Sequence, residues 1–154
     1  MLLRFLQGRK MMEKKRILTG DRPTGHLHLG HYCGSLRNRV ELQDDYEEFI
    51  LIADVQALTT HFERPELIND SIYQITMDNL AVGLDPEKVT FIQQSGVPCI
   101  HELTMYYSMI TTCNHLLINP TIKTEARSYG MQDEGREYDF SKLTYGFLGY
   151  PISQ

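Results

Sequence analysis

The chain has 154 residues, enough for one domain with a real core, and its 42% hydrophobic and 23% charged content is that of a globular protein. A formal net charge of −5 argues against a dominant nucleic-acid footprint, and no apolar run approaches the length of a membrane span. Cys33, Cys99 and Cys113 are odd in number, widely spaced and without a Cys-x-x-Cys, which fits buried thiols in a reduced, cytoplasmic protein better than a disulfide framework.

The first sixteen residues hold six basic side chains (Arg4, Arg9, Lys10, Lys14, Lys15 and Arg16) against one acid, Glu13. Met1 to Leu6 is apolar but broken by Arg4, and it is too short for a signal-peptide core. Residues 1–15 read as a flexible basic tail, solvated and not RNA-binding, with Met11 or Met12 as an alternative translation start.

Arg16 to Gly20 is a short strand leading into the turn Asp21-Arg22-Pro23-Thr24-Gly25. A helix from Leu29 to about Gln43 follows, with Leu29, Tyr32, Cys33, Leu36 and Val40 at helical spacing. Between turn and helix lies Gly25-His26-Leu27-His28-Leu29-Gly30-His31. A helix start offers unpaired N–H groups and the positive end of a dipole, so it suits an anion. Gly30 removes a Cβ where a ligand's phosphates or ribose would collide, and His28 and His31, three apart, share a helix face from which both rings can donate to a phosphate. His26, His28 and His31 lack a carboxylate or thiolate partner apart from Cys33, so the histidines read as phosphate donors, with no metal assigned.

The acidic cluster Asp44-Asp45-Tyr46-Glu47-Glu48 ends that helix. Phe49 to Ala53 is a continuous apolar run, expected of a parallel strand covered on both faces, and Asp54 closes it. Asp54 is either a catalytic acid or a strand-end carboxylate capping backbone N–H groups. Thr60 to Arg64 is a loop. Pro65 opens a second helix to about Val82 with Leu67, Ile68, Ile72, Ile75 and Leu80 inside, and Gly83 stops it. Val89 to Gln93 is a third strand, and a third helix follows Pro98 with Leu103, Tyr106, Tyr107, Ile110, Cys113 and Leu117 on one side. Tyr106 and Tyr107 read as core, and His61, His101 and His115 as surface or core-edge residues. From Asn119 to Lys142 the pattern loosens, and Met131 to Asp139 reads as a mobile polar loop. Leu143 to Pro151 is apolar and aromatic again, and the chain stops at Gln154 inside what reads as a new element, as expected of a truncated domain.

Strands alternating with crossover helices predict an α/β fold with a doubly wound parallel sheet. Ligands bind at the carboxyl ends of such strands, so the histidine stretch, Asp54 to Thr59 and Gln93 to Ser95 should converge on one cleft.

Pro23-Thr24-Gly25-His26-Leu27-His28-Leu29-Gly30-His31 is similar to the His-Ile-Gly-His signature of class I aminoacyl-tRNA synthetases. Five further blocks resemble the tryptophanyl branch of that family: Ile52 to Thr59, Leu80 to Pro86, Phe91 to Ser95, Asn119 to Lys123 and Tyr150 to Gln154. The resemblance implies a Rossmann-like catalytic domain, of which residues 16–154 are the N-terminal part. It implies activation of tryptophan by ATP, with Mg2+ arriving on the nucleotide and not held by protein, followed by transfer to tRNA(Trp) in a homodimeric enzyme.

Carried over by position, the resemblance implies that Arg22, Pro23 and Thr24 line the ATP site. Gly30 and His31 approach the adenosine and phosphates, and His28 supports developing charge. Leu18, Gly20 and Gln56 form the floor and wall of the amino-acid pocket, and Tyr150 and Gln154 stand where the indole-binding helix begins. The Ala-Ala-Asp that follows in the family, its Lys-Met-Ser-Lys-Ser signature and its tRNA-binding helical domain are absent from this sequence. Leu117-Ile118 replaces a frequent charged pair, and residues 128–142 are expanded. The competing readings are a tyrosyl-tRNA synthetase, a small nucleotidyltransferase with a similar His-x-Gly-His turn, and a non-catalytic nucleotide-binding or dimerisation module.

Overall fold

Three parallel strands, β1 (Arg16–Asp21), β2 (Glu47–Ile52) and β3 (Val89–Gln93), lie side by side in that order. The computed structural model of the chain describes residues 14–131, 138, 139 and 141–153. Most of the expected basic tail, the middle of the expected loop Met131–Asp139, and Gln154 lie outside the described residues. Register sets Leu18 against Phe49 and Gly20 against Leu51, and sets Ile50 against Phe91. A Cβ built on Gly20 would lie 2.6 Å from the Leu51 carbonyl oxygen, so only glycine permits β1 and β2 to approach this closely.

The strands alternate between two faces of the sheet. On one face Ile50 and Val89 pack with Leu84, Val40 and Phe91 into a core. The other face carries Leu18, Leu51 and Ile92, which border a cavity. Accordingly β2 is fully buried only at Glu48, Ile50 and Ile52, whereas Glu47, Phe49 and Leu51 are half-buried. The expected double coverage of this strand is therefore incomplete, because an open space occupies part of the second face.

The helix expected over Leu29–Gln43 is three stretches: α1 (Leu29–His31), a π-helical turn over Tyr32–Leu36, and α2 (Arg37–Leu42). Gly34 and Ser35 fall in the π turn, and the Ser35 hydroxyl donates to the His31 carbonyl at 3.1 Å, a bond that bends helices. The wider turn rotates the first apolar residues off the core, leaving Leu29, Tyr32 and Cys33 exposed while Leu36 is buried.

A short helix, α3 (Asp54–His61), follows β2 directly, so Thr60 and His61 are helical and not loop. The next helix is α4 (Pro65–Ala81), with Pro65 in its first turn and Gly83 at φ 111° ending it. Its buried stripe is Ile68, Ser71, Ile75 and Asn79; Leu80, expected inside, is exposed. The expected third helix is split into α5 (Pro98–Ser108) and α6 (Cys113–Leu117). Thr112 causes the break: its backbone is extended and its hydroxyl accepts from the His115 N–H at 3.3 Å, starting a new helix.

Leu103, Met105, Tyr106, Tyr107, Met109 and Ile110 are exposed, which corrects the reading of Tyr106 and Tyr107 as core. α5, which carries Leu103 to Tyr107, borders the cavity with Leu103 and Tyr107, across from Leu18, Leu51 and Ile92 of the sheet. Cys33, Cys99 and Cys113 are likewise exposed, not buried.

Where the sequence pattern loosens, the chain forms α7 (Pro120–Ser128), capped by the Asn119 side chain, which accepts from the Thr121 N–H at 2.9 Å. Then come α8 (Tyr145–Gly149) and a 3-10 turn over Tyr150–Ser153. Ile122, Ala126, Phe147 and Tyr150 make a second core here, with Met131, Tyr138, Leu143 and Leu148 around it. Among the described residues no helix is long and apolar enough to cross a membrane.

Candidate functional site

The chain leaves β1 at Asp21 and turns over Arg22, Pro23, Thr24 and Gly25. Thr24 N–H donates to the Arg22 carbonyl at 2.9 Å, and Gly25 sits at φ 138°, where a side chain would be strained. Pro23 is fully buried. The stretch is tied to α4 by the Leu27 N–H, which donates to Asp78 Oδ2 at 3.3 Å.

At the helix start both histidine rings cap backbone N–H groups. His28 Nδ1 accepts from the Gly30 N–H at 3.1 Å, and His31 Nδ1 accepts from the His28 N–H at 3.2 Å. The ring centroids are 4.1 Å apart. An imidazole whose Nδ1 accepts carries its proton on Nε2 when neutral, so each ring has one N–H left to offer. The fold thus turns two generic imidazoles into two Nε2–H donors held at a helix start. Gly30 is also needed for this arrangement, since a Cβ there would lie 2.8 Å from His28 Cε1 and push the ring off its cap.

At the carboxyl ends of the strands lies a cavity of about 550 Å³. Leu18 and Gly20 border it from β1, Arg22 from the turn that follows, Gln56 from α3, Leu103 and Tyr107 from α5, and Ile152 from the final turn. Gln56 and Ile152 also border a smaller cavity of about 210 Å³, which Tyr150 and His101 line as well. The structure therefore brings Leu18, Gly20, Arg22 and Gln56 together and places Tyr150 next door. His28, Gly30, His31, Pro23 and Thr24 border neither cavity, and Gln154 is outside the described residues.

The wall carrying Gln56 is fixed by buried polar bonds. Gln94, wholly buried, accepts from the Gln56 N–H through Oε1 at 3.0 Å. Asp54 Oδ1 accepts from the Val55 N–H at 2.9 Å and the Ser95 N–H at 3.0 Å. Its Oδ2 accepts from Gln93 Nε2 at 2.8 Å and from the Ser95 hydroxyl at 2.5 Å. Burial alone would raise the Asp54 carboxyl, but the hydrogen bonds from Ser95, Gln93 and Val55 outweigh it and hold the pKa below its ordinary value. Of its two sequence readings, these bonds match the carboxylate that caps backbone N–H groups, joining β3's end to the start of α3.

Arg22 is held on two sides. Its Nη2 donates to Thr60 Oγ1 at 2.6 Å and its Nη1 to Glu125 Oε1 at 3.2 Å. Tyr150 stands against the same carboxylate. Its phenol is pushed well above its ordinary range, by burial first and then by the charge and hydrogen bond of Glu125. Sequence reasoning missed Thr60 and Glu125. The available signals were the capping Asn119 and the apolar pair Ile122 and Ala126, four apart, which together place Glu125 on a helix.

Beneath the site, Arg39 (3% exposed) donates to Asp21 Oδ2 at 2.6 Å and Oδ1 at 3.1 Å. It also reaches Asn79 Oδ1 at 3.0 Å and Thr19 Oγ1 at 3.1 Å. Among the described residues no group of three His, Cys, Asp or Glu is arranged to hold a metal ion.

Set against known proteins, the family profile described as tRNA synthetases class I (W and Y) matches residues 10–152. A tryptophan–tRNA ligase from Streptococcus mutans is 52% identical over 145 residues, covering 93% of this chain and 40% of the relative. The tryptophanyl-tRNA synthetase of Mycoplasma pneumoniae superposes with a TM-score of 0.74 at 28% identity, over 91% of this chain and 39% of that one. The Campylobacter jejuni tryptophanyl-tRNA synthetase complexed with ADP and tryptophan superposes with a TM-score of 0.71 at 28% identity, over 90% of this chain and 40% of that one. The chain thus spans about 40% of the length of the curated relatives it matches.

Proposed function

The chain belongs to the class I tRNA synthetases of the tryptophan and tyrosine type, and we propose that it carries the nucleotide half, and part of the amino-acid pocket, of a tryptophan-activating centre. In that reaction the tryptophan carboxylate attacks the α-phosphorus of ATP, brought in as its magnesium complex, and pyrophosphate leaves. No covalent enzyme intermediate is needed, so the protein contributes positioning and charge stabilisation. Transfer of tryptophan to tRNA(Trp), assembly as a homodimer and a cytoplasmic setting are proposals about the whole enzyme. Within it, residues 16–154 act as the N-terminal part of the Rossmann-like catalytic domain and residues 1–15 as a basic tail.

The observation that carries this reading is the convergence of Gly20, Arg22 and Gln56 on one cavity at the strands' carboxyl ends. Gly20 keeps the floor open and Leu18 lines it with apolar surface. Gln56 offers an amide and Arg22 a cation. Tyr150 and Gln154 are assigned to the indole end. His28 and His31 present Nε2–H groups toward the phosphates, with Pro23 and Thr24 shaping the turn and Gly30 keeping His28 in place.

Calorimetry on the 154-residue chain tests it with ATP, L-tryptophan and L-tyrosine as titrants. The expected result is binding of ATP, and of tryptophan in preference to tyrosine. ATP binding should fall at least tenfold in His31→Ala, and tryptophan binding should be lost in Gly20→Val. A preference for tyrosine would overturn the choice of amino acid, and ATP binding unchanged in His31→Ala would overturn the nucleotide assignment.

A further inference from the structure

We propose that Glu125 is a positioning residue for Arg22, and that it sets the affinity of the site for nucleotide by fixing the arginine's guanidinium before the ligand arrives. The inference rests on the reading of Arg22 as a nucleotide contact.

Of the ion pairs between described residues, Arg22–Glu125 is the one that joins the sheet to the C-terminal helices. It is a half-buried pair, with side chains 22% and 24% exposed, so solvent screens it less than a surface bridge. A free arginine loses much side-chain entropy when it grips an anion. This one is already pinned at both terminal nitrogens, to Glu125 on α7 and to Thr60 on α3. Guanidinium has five N–H donors; these bonds use two of them and the Nε is buried, which leaves the second N–H of each terminal nitrogen. The plane is therefore fixed while donors remain for a phosphate.

Glu125 is itself a firm post. Ile122 and Ala126, on either side of it in α7, are both wholly buried in the second core. Tyr150, at the start of the final turn and buried in the same core, stands near enough to this carboxylate for its charge to push the phenol up. A carboxylate that merely masked Arg22 would compete with the incoming anion, and the two roles predict opposite effects of removing it.

The test is a mutant cycle read by ATP calorimetry on the 154-residue chain, with wild type, Glu125→Ala, Arg22→Ala and the double variant, each checked by thermal unfolding. Glu125→Ala should weaken ATP binding about tenfold and Arg22→Ala at least as much, with the double variant no weaker than Arg22→Ala. Glu125→Gln, which keeps an oxygen for Arg22, should recover most of the affinity. Should Glu125→Ala not fold, Glu125→Gln serves in the cycle, with an expected loss of about threefold that vanishes in the Arg22→Ala background. Additive losses, or unchanged or tighter binding without Glu125, would overturn the proposal while leaving Arg22 in place. ATP binding indifferent to Arg22→Ala would overturn the placement of Arg22 and this proposal with it. No ATP binding by the wild-type chain would overturn the nucleotide reading as a whole.

Discussion

Glu48 and Asp54 lie near the two ends of β2, and their carboxyl groups shift in opposite directions. Burial pushes Glu48 above its ordinary 4.5, only partly offset by the charge of Arg39. Folded Glu48 therefore keeps its proton to higher pH than the unfolded chain does. Its contribution to stability falls as pH rises above 4.5. Glu48→Gln should raise the urea midpoint at pH 7, and the gain should shrink as pH falls through the raised folded pKa toward 4.5. Asp54 is the reverse case. Hydrogen bonds hold it below its ordinary 3.8, so its contribution is present above 3.8 and is lost as pH falls through the folded value. Asp54→Asn keeps an oxygen for the two backbone N–H groups but sets an amide against Gln93 Nε2. It should cost about 1–3 kcal/mol at pH 7, and the cost should fade in acid. Parallel urea titrations of both variants from pH 3 to 8 check the signs. At Gly30 the contact is steric: its Cβ would meet His28 at 2.8 Å. Gly30→Ala should cost about 1 kcal/mol, the value of a helix cap. The loss should not add to that of His28→Ala, because both remove the same cap; additive losses in urea unfolding would contradict this.

Between elements, one buried cation holds three together. Arg39 of α2 bonds Asp21 and Thr19 of β1 and Asn79 of α4. Asp21 immediately precedes Arg22, so this pair fixes where the strand releases the chain into the turn. Arg39→Met strands a buried carboxylate and should cost about 3–5 kcal/mol, whereas Arg39→Met with Asp21→Leu should recover most of it. A double variant no better than the single in thermal unfolding would show that Asn79 and Thr19, not Asp21, take most of the strength of Arg39. Such pairs also mark where sequence stops being informative. The apolar runs of β2 and β3 and the proline-to-glycine span of α4 were legible because local pattern and punctuation agree. Asn79 and Ser71 were not, since a buried polar residue on a helix looks like surface until its partner is known. α3 is short, and α7 shows only Ile122 and Ala126 to the core, too thin a signal to stand out. Tyr106 and Tyr107 look like core because nothing local tells that their helix faces a cavity.

Across the chain from end to end, the site's backbone-borne parts were legible and its cross-links were not. Gly20 and Gln56 stood out through their similarity to a known signature; the histidine turn stood out the same way, yet it borders neither cavity. Thr60 and Glu125 reach Arg22 from 38 and 103 residues away, distances that no local pattern spans. The same separation is seen in the packing of the described residues. One core is Ile50, Leu84 and Val89 under the sheet, and the other is Ile122, Ala126, Phe147 and Tyr150 between the C-terminal helices. Among the described residues Phe147 is the largest wholly buried side chain, stacked edgewise on Tyr129 and Tyr150. Cutting it to alanine should cost about 3–5 kcal/mol, a large part of what a domain of this size has. Because its neighbours belong to the second core, the loss should be local opening and not global unfolding. In Phe147→Ala, amide exchange should speed up across α7 and α8 while β2 keeps its protection. ATP affinity should fall as well, since α7 carries the carboxylate that holds Arg22. Equal loss of protection in β2 and α7 would mean that the two cores open as one unit, and that the C-terminal helices are part of a single cooperative fold.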